Sequence, residues 1–180
     1  TRRASSVAHI GSLDLGGDNP VRIQSMTTTN TNGTEACIRQ AEEIIKAGGE
    51  LVRFTTQGSR EAENMKNINA GIRADGYLTP LVADVHFNPN VADVAALYCE
   101  KVRVNPGNYV DPARKFIKQE YTDEEYAHEL QKIEDRFVPF LNICKENHTA
   151  IRIGVNHGSL SDRIRNRYGD TPEGIVESCM

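Results

Sequence analysis

Lys101-Val102-Arg103-Val104-Asn105-Pro106-Gly107-Asn108 holds the pattern that decides the fold: a short β-prone run with an arginine at its centre, closed by a polar residue and a Pro-Gly turn. The same arrangement recurs at Leu51 to Thr55, with Arg53 between Val52 and Phe54, and at Ala150 to Val155, with Arg152 between Ile151 and Ile153. Val21 to Met26 and Leu81 to His86 complete a set of five predicted strands. Longer amphipathic runs separate them, the order expected when helices cross over between parallel strands.

The first predicted helix covers Thr34 to Ala47, where Cys37, Ala41, Ile44 and Ile45 recur at helical spacing before a Gly48-Gly49 stop. The second covers Arg60 to Arg73, and a third, opened by Asn88-Pro89, carries Val91, Val94, Ala95 and Leu97. The longest spans Thr122 to Glu146, with Thr122 and Glu125 as a capping box and Pro139 as a point of kinking or splitting. A last helix opens at Thr171-Pro172-Glu173 and is still running at Met180. That ending, with Thr1 in place of an initiator Met, leads us to expect a trimmed part of a longer βα series. Ahead of the strands, Val7 to Ile10, Leu13 and Gly16-Gly17-Asp18-Asn19-Pro20 predict a hairpin, so residues 1–20 form a cap and 21–180 the βα part. The pattern fits either part of an eightfold barrel, which needs ~250 residues when whole, or an open doubly wound sheet.

The 180 residues are 38% hydrophobic and 26% charged, which excludes a disordered tail or a collagen-like rod. No apolar run approaches the ~18 residues of a membrane span. A net charge of −4 argues against a protein that binds by neutralising many nucleic-acid phosphates. Cys37, Cys99, Cys144 and Cys179 form no C-x-x-C and read as buried thiols of a reducing compartment, hence a cytoplasmic origin.

Side chains alternate across a strand, so Arg53, Arg103 and Arg152 point away from the face their apolar neighbours share. A guanidinium there needs an anion, and two sources compete: an internal carboxylate such as Asp84 or Asp111, or a ligand with several negative oxygens. Three arginines on three strands exceed the one inward carboxylate of these strands, Asp84, and the surplus describes a diphosphate clamp. Ligands of α/β folds sit at the carboxyl ends of the strands, where Asp84, His86, Asn105 and Asn156 share the arginines' face by even spacing. Asp84 and His86 would hydrogen-bond ligand hydroxyls; they also match a metal-ligand pair, but His9, His128 and His148 lie elsewhere and supply no third ligand. Gly58-Ser59 and Gly158-Ser159 could offer backbone N–H groups to an anion. Gln24 to Asn30 reads as shape and hydroxyl contacts, His157 as a solvated loop residue and Glu120 to Glu125 as a solvated helix start.

The ordered blocks Gln24-Ser25-Met26-Thr27, Val52-Arg53, Ala83-Asp84-Val85-His86-Phe87, Val102 to Asn108 and Ile151 to Leu160 resemble the N-terminal barrel of the 4-hydroxy-3-methylbut-2-enyl diphosphate synthases. These are the iron–sulfur enzymes of the non-mevalonate isoprenoid pathway. The resemblance implies an α/β fold, a partial TIM barrel of about five βα units with an N-terminal hairpin. It implies binding of methylerythritol cyclodiphosphate, which the whole enzyme opens and dehydroxylates with two electrons. Arg53, Arg103 and Arg152 would hold the diphosphate, with Asp84, His86, Asn105 and Asn156 lining the pocket.

Tyr109 to Thr149 is similar to the long form of that enzyme, which carries an extra domain. The implied 4Fe-4S cluster is held by three cysteines and a glutamate of a C-terminal domain that this sequence does not match. The segment alone is therefore expected to be inactive, and ferredoxin or flavodoxin would serve the full-length enzyme. Open barrel edges lead to an expectation of self-association. The rival readings are a pterin-binding, dihydropteroate synthase-like barrel, disfavoured by three strand arginines, and a non-catalytic anion-binding module.

Overall fold

The computed structural model describes residues 3–110 and 120–180. Strands β1 (Val7–Ile10) and β2 (Leu13–Gly16) pair as an antiparallel hairpin, turned at Gly11 with φ +56°. Strands β3 (Gln24–Met26), β4 (Leu51–Thr55), β5 (Leu81–Asp84), β6 (Lys101–Val104) and β7 (Ala150–Ile153) form a parallel sheet in that order. Helices α1 (Thr34–Lys46), α2 (Ser59–Ala74), α3 (Pro89–Tyr98) and α4 (Asp123–Glu146) follow the first four in turn. After β7 come α5 (Asp162–Tyr168) and α6 (Pro172–Cys179).

One face of the sheet carries Val52, Phe54, Leu81, Ala83, Val102 and Val104. They are buried against Cys37 and Ala41 of α1, Met65 and Ile68 of α2, Val91 and Ala95 of α3, and Phe140 and Cys144 of α4. The opposite face starts at Leu51 and Val82, which pack on Ile10, Leu13 and Leu15, so the hairpin plugs its lower end. Sequential strand order with α1 to α4 gathered on one face is the arrangement of a barrel wall. A doubly wound sheet reverses its order and covers both faces.

Four predicted strands are shorter than expected, and in two of them a side chain takes over a backbone bond. The edge strand starts at Gln24, not Val21: the Ile23 N–H donates to the Glu50 carboxylate at 2.8 Å, and Arg22 pairs with the same group at 3.0 Å. Asn105 leaves the ladder to accept the Gly107 N–H at 3.2 Å, opening a 3-10 turn over Pro106–Asn108. His86 lies beyond β5 in the bend that leads to the Asn88 cap of α3, and β7 stops at Ile153, ahead of Gly154.

The capping box of α4 forms as expected, with Thr122 Oγ1 accepting from the Glu125 N–H at 3.2 Å and the Glu125 carboxylate accepting from the Thr122 N–H at 2.8 Å. The helix neither splits nor ends at Pro139. Burial on both sides of the proline holds it: the Phe137 ring packs on Tyr109 at 5.3 Å and on Phe140 at 5.6 Å. Helix α5 was not expected; its signal was Ser161, whose hydroxyl caps the Ile164 N–H, with Gly169 as a stop at φ +67°. Among the described residues no helix is long and apolar enough to cross a membrane. Cys37, Cys99 and Cys144 are buried free thiols, but Cys179, at the end of α6, is exposed.

Candidate functional site

Register sets the layers of the inner face. Arg53 of β4 is level with Val82 of β5, Lys101 of β6 and Ala150 of β7. One step nearer the carboxyl ends, Thr55, Asp84, Arg103 and Arg152 form the next layer. The three arginines share one face, as alternation requires, with Arg53 a layer below the others.

Asp84 is the hub of this face. Its side chain is 1% exposed, and it accepts from Arg53 Nη2 and, at 3.4 Å, from Arg103 Nη1; His86 Nε2 lies 3.1 Å away. Burial alone would raise the Asp84 pKa, but hydrogen bonds and charge from Arg53 and His86 outweigh it and hold the carboxyl below its ordinary value. Arg103, nearly buried, also donates from Nη2 to the Gly154 carbonyl at 2.9 Å. Gly154 permits this: a Cβ at that position would overlap the Arg103 guanidinium. Arg152 is exposed beside Arg103 and, among the described residues, makes no ion pair.

The internal-carboxylate reading thus holds for two of the three arginines, and for one shared carboxylate. Asp111, the other candidate, lies outside the described residues. Sequence reasoning missed a fourth cation, Lys101, whose signal was its place two residues before Arg103. It is 7% exposed, and burial, then the charges of Arg152 and Arg53, lower its pKa. Burial, opposed by Asp84 and reinforced by Arg53 and Arg152, lowers the Arg103 pKa too. Four cations around one carboxylate leave a strongly positive inner face.

The other expected residues divide. His86 is joined to the hub and meets the Phe87 ring edge-on at 5.9 Å. Asn105 is buried at the end of β6, where its Oδ1 accepts from Gly107 N–H and Ser178 Oγ while Nδ2 has no partner among the described residues. Asn156 is exposed at the start of a 3-10 turn over His157–Ser159, and its side chain makes no cap.

At the Gly58-Ser59 start of α2, the Gly58 N–H is already taken by the Glu61 carboxylate at 3.1 Å. The Ser159 N–H is likewise used by the Asn156 carbonyl. His157 is solvent-exposed, as read from the sequence, and pairs with the exposed Asp170 at 3.0 Å. The threonines after β3 turn inward, Thr27 Oγ1 to the Arg53 carbonyl and Thr31 Oγ1 to that of Thr55, and so brace strand ends. Among the described residues no third His, Cys, Asp or Glu joins Asp84 and His86 in a metal-binding group.

Residues 5–180 match the GcpE TIM-barrel domain. The chain belongs to that family. Its relatives include a protein of Bacteroides thetaiotaomicron, 74% identical over 99% of this chain, and one of Akkermansia muciniphila, 50% identical over 100% of it. A third, from Protochlamydia amoebophila, is 48% identical over 99% of the chain. All three are named 4-hydroxy-3-methylbut-2-en-1-yl diphosphate synthase (flavodoxin). The chain spans 29%, 31% and 27% of their respective lengths. With the family, the partial-barrel reading of the sheet stands, and the open doubly wound alternative falls.

Proposed function

We propose that this chain is the substrate-binding barrel segment of a 4-hydroxy-3-methylbut-2-en-1-yl diphosphate synthase and takes 2-C-methylerythritol 2,4-cyclodiphosphate at the carboxyl ends of its strands. The observation that carries the reading is the surplus of positive charge on the inner face, where Asp84 answers only part of Arg53, Lys101, Arg103 and Arg152. Arg53, Arg103 and Arg152 hold the diphosphate. Asp84 sets the angle of two of those forks, because a carboxylate with an arginine on each oxygen fixes both planes. His86 and Asn156 stand toward the hydroxyl-bearing carbons, with Asn105 buried, its Nδ2 without a partner among the described residues.

The 4Fe-4S cluster implied by this activity does not fit the residues present. Cys37, Cys99 and Cys144 are buried apart on α1, at the end of α3 and on α4, and no metal-binding group of three side chains occurs among the described residues. In this reading the cluster, and its supply of two electrons from flavodoxin or ferredoxin, belongs to the rest of the full-length protein, and the segment alone is inactive. Three buried free thiols support a reducing, cytoplasmic setting. Among the described residues, strands β3 and β7 each pair on one side only, which supports self-association of the separated segment; light scattering that gives a clean monomer at high concentration refutes it.

Calorimetry on the full-length protein tests the site. The cyclic diphosphate binds and a pterin does not, and Arg103→Ala weakens binding by about 2–4 kcal/mol, roughly thirty-fold or more. Unchanged affinity removes Arg103 from the clamp.

A further inference from the structure

Arg163, on α5, is 2% exposed and ranks first in size among the fully buried side chains. Its guanidinium stacks on the Tyr126 ring, 4.6 Å from the centroid, and Arg167 lies 4.4 Å from the same centroid. Tyr126 is fixed in turn by donating to Glu177 of α6 at 2.6 Å, and Arg167 by pairing with Asp123 at 2.8 Å. Arg163 Nη2 donates to the Gly107 carbonyl at 3.4 Å, while Nε and Nη1 find no acceptor among the described residues.

Stacking alone does not explain an arginine here. An apolar side chain of similar volume would cover the Tyr126 ring without burying a charge and two nitrogens that lack an acceptor among the described residues. What only the guanidinium supplies is the bond to Gly107. That glycine is held from both directions, its N–H by Asn105 and its carbonyl by Arg163. It also lies so close to α6 that a Cβ would overlap Ser178, whose hydroxyl donates to Asn105 at 3.3 Å.

We propose that Arg163 is a positioning residue: by gripping the Gly107 carbonyl it fixes the Pro106–Asn108 turn and, through that turn, the placement of Asn105 and Arg103 at the mouth. The proposal rests on the diphosphate reading of that mouth. It also gives the α4–α5–α6 junction a task in substrate recognition, since Tyr126 and Glu177 hold the arginine in place.

The test uses full-length protein and the cyclic diphosphate, with affinity by calorimetry and melting temperature recorded for each variant. Arg163→Ala is expected to weaken binding about ten-fold or more, the scale of effect that a small misplacement of binding groups produces. Methylguanidinium added to the medium should restore part of the loss, and methylammonium, of equal charge, should not. Ile68→Ala, which opens a cavity in the core between sheet and helices, is the control for lost stability alone. Arg163→Lys, which keeps the charge but not the planar fork, serves if the alanine variant does not fold, and it should also bind weakly. Wild-type affinity in Arg163→Ala or Arg163→Lys overturns the proposal. So does a loss no larger than that of Ile68→Ala at equal loss of melting temperature, or one that methylguanidinium leaves untouched. Failure of the wild-type protein to bind overturns instead the diphosphate reading on which it rests.

Discussion

Asp84→Asn separates the two duties of the hub, because it keeps the shape of the side chain and removes its charge. In the ligand-free protein the carboxylate faces Arg53 and Arg103, and its replacement leaves two guanidinium groups without a counter-charge. A unit pair about 4 Å apart interacts by about 4 kcal/mol at an effective dielectric constant of 20. Arg53 is 25% exposed, so water recovers part of its share, whereas Arg103 is 9% exposed and recovers little. Breaking a buried pair on one side costs about 3–5 kcal/mol. At roughly 2–4 °C per kcal/mol for a domain of this size, the melting temperature should fall by about 10 °C.

An added anion reverses the sign. Pyrophosphate meets the same cations without the repulsion of Asp84, so it should raise the melting temperature of Asp84→Asn by more than it raises that of the wild type. The assay is differential scanning calorimetry at neutral pH with and without pyrophosphate. A variant melting within about 2 °C of wild type would refute the hub. One gaining less from pyrophosphate than wild type would refute the view that an anion and Asp84 compete for the same arginines.

Acid should remove the same stability in the wild type. The folded carboxyl titrates below its ordinary value, so its contribution is whole above the unfolded value near pH 4 and is lost as pH falls through the folded one; Asp84→Asn should lack that component in urea titrations between pH 6 and 3. Lys101→Met should raise ligand-free stability by about 1–2 kcal/mol, because a largely buried lysine with no ion pair among the described residues gives way to an apolar chain of similar length, and should lower affinity for pyrophosphate. Chemical denaturation and calorimetry read the two effects, and a variant that loses stability contradicts the placement of Lys101. Gly154→Ala should displace the Arg103 guanidinium and weaken diphosphate binding nearly as much as Arg103→Ala, whereas wild-type affinity would show that Arg103 has another route to the ligand. Pro139→Ala should stabilise α4 by about 1–3 kcal/mol by restoring a backbone donor inside an unbroken helix, and a lower melting temperature would show that the proline is needed for packing.

What could be read in the sequence was whatever repeats along a strand or helix. Alternation alone put Arg53, Arg103, Arg152 and Asp84 on one face, and the structure keeps them there; the same rule, unused for Lys101, places that residue on the face too. Layers could not be read, since they depend on the register between strands; Arg53 stands a level below Arg103 because it pairs with Val82, which faces Lys101, whereas Arg103 faces Asp84. Strand ends were misjudged wherever a side chain replaced a ladder bond, as Glu50 does at Ile23 and Asn105 at Gly107. Helix α5 escaped because its seven residues carry little apolar periodicity and its largest inward side chain, Arg163, is one that composition assigns to the surface. That misassignment has a physical reason: the buried guanidinium answers a backbone carbonyl and an aromatic ring far away in the chain, so its cause lies in contacts that no local window contains. Arg103 is the opposite case, since its apolar neighbours mark it as inward from the sequence, and there the demand for a counter-charge could be stated before the partner was known.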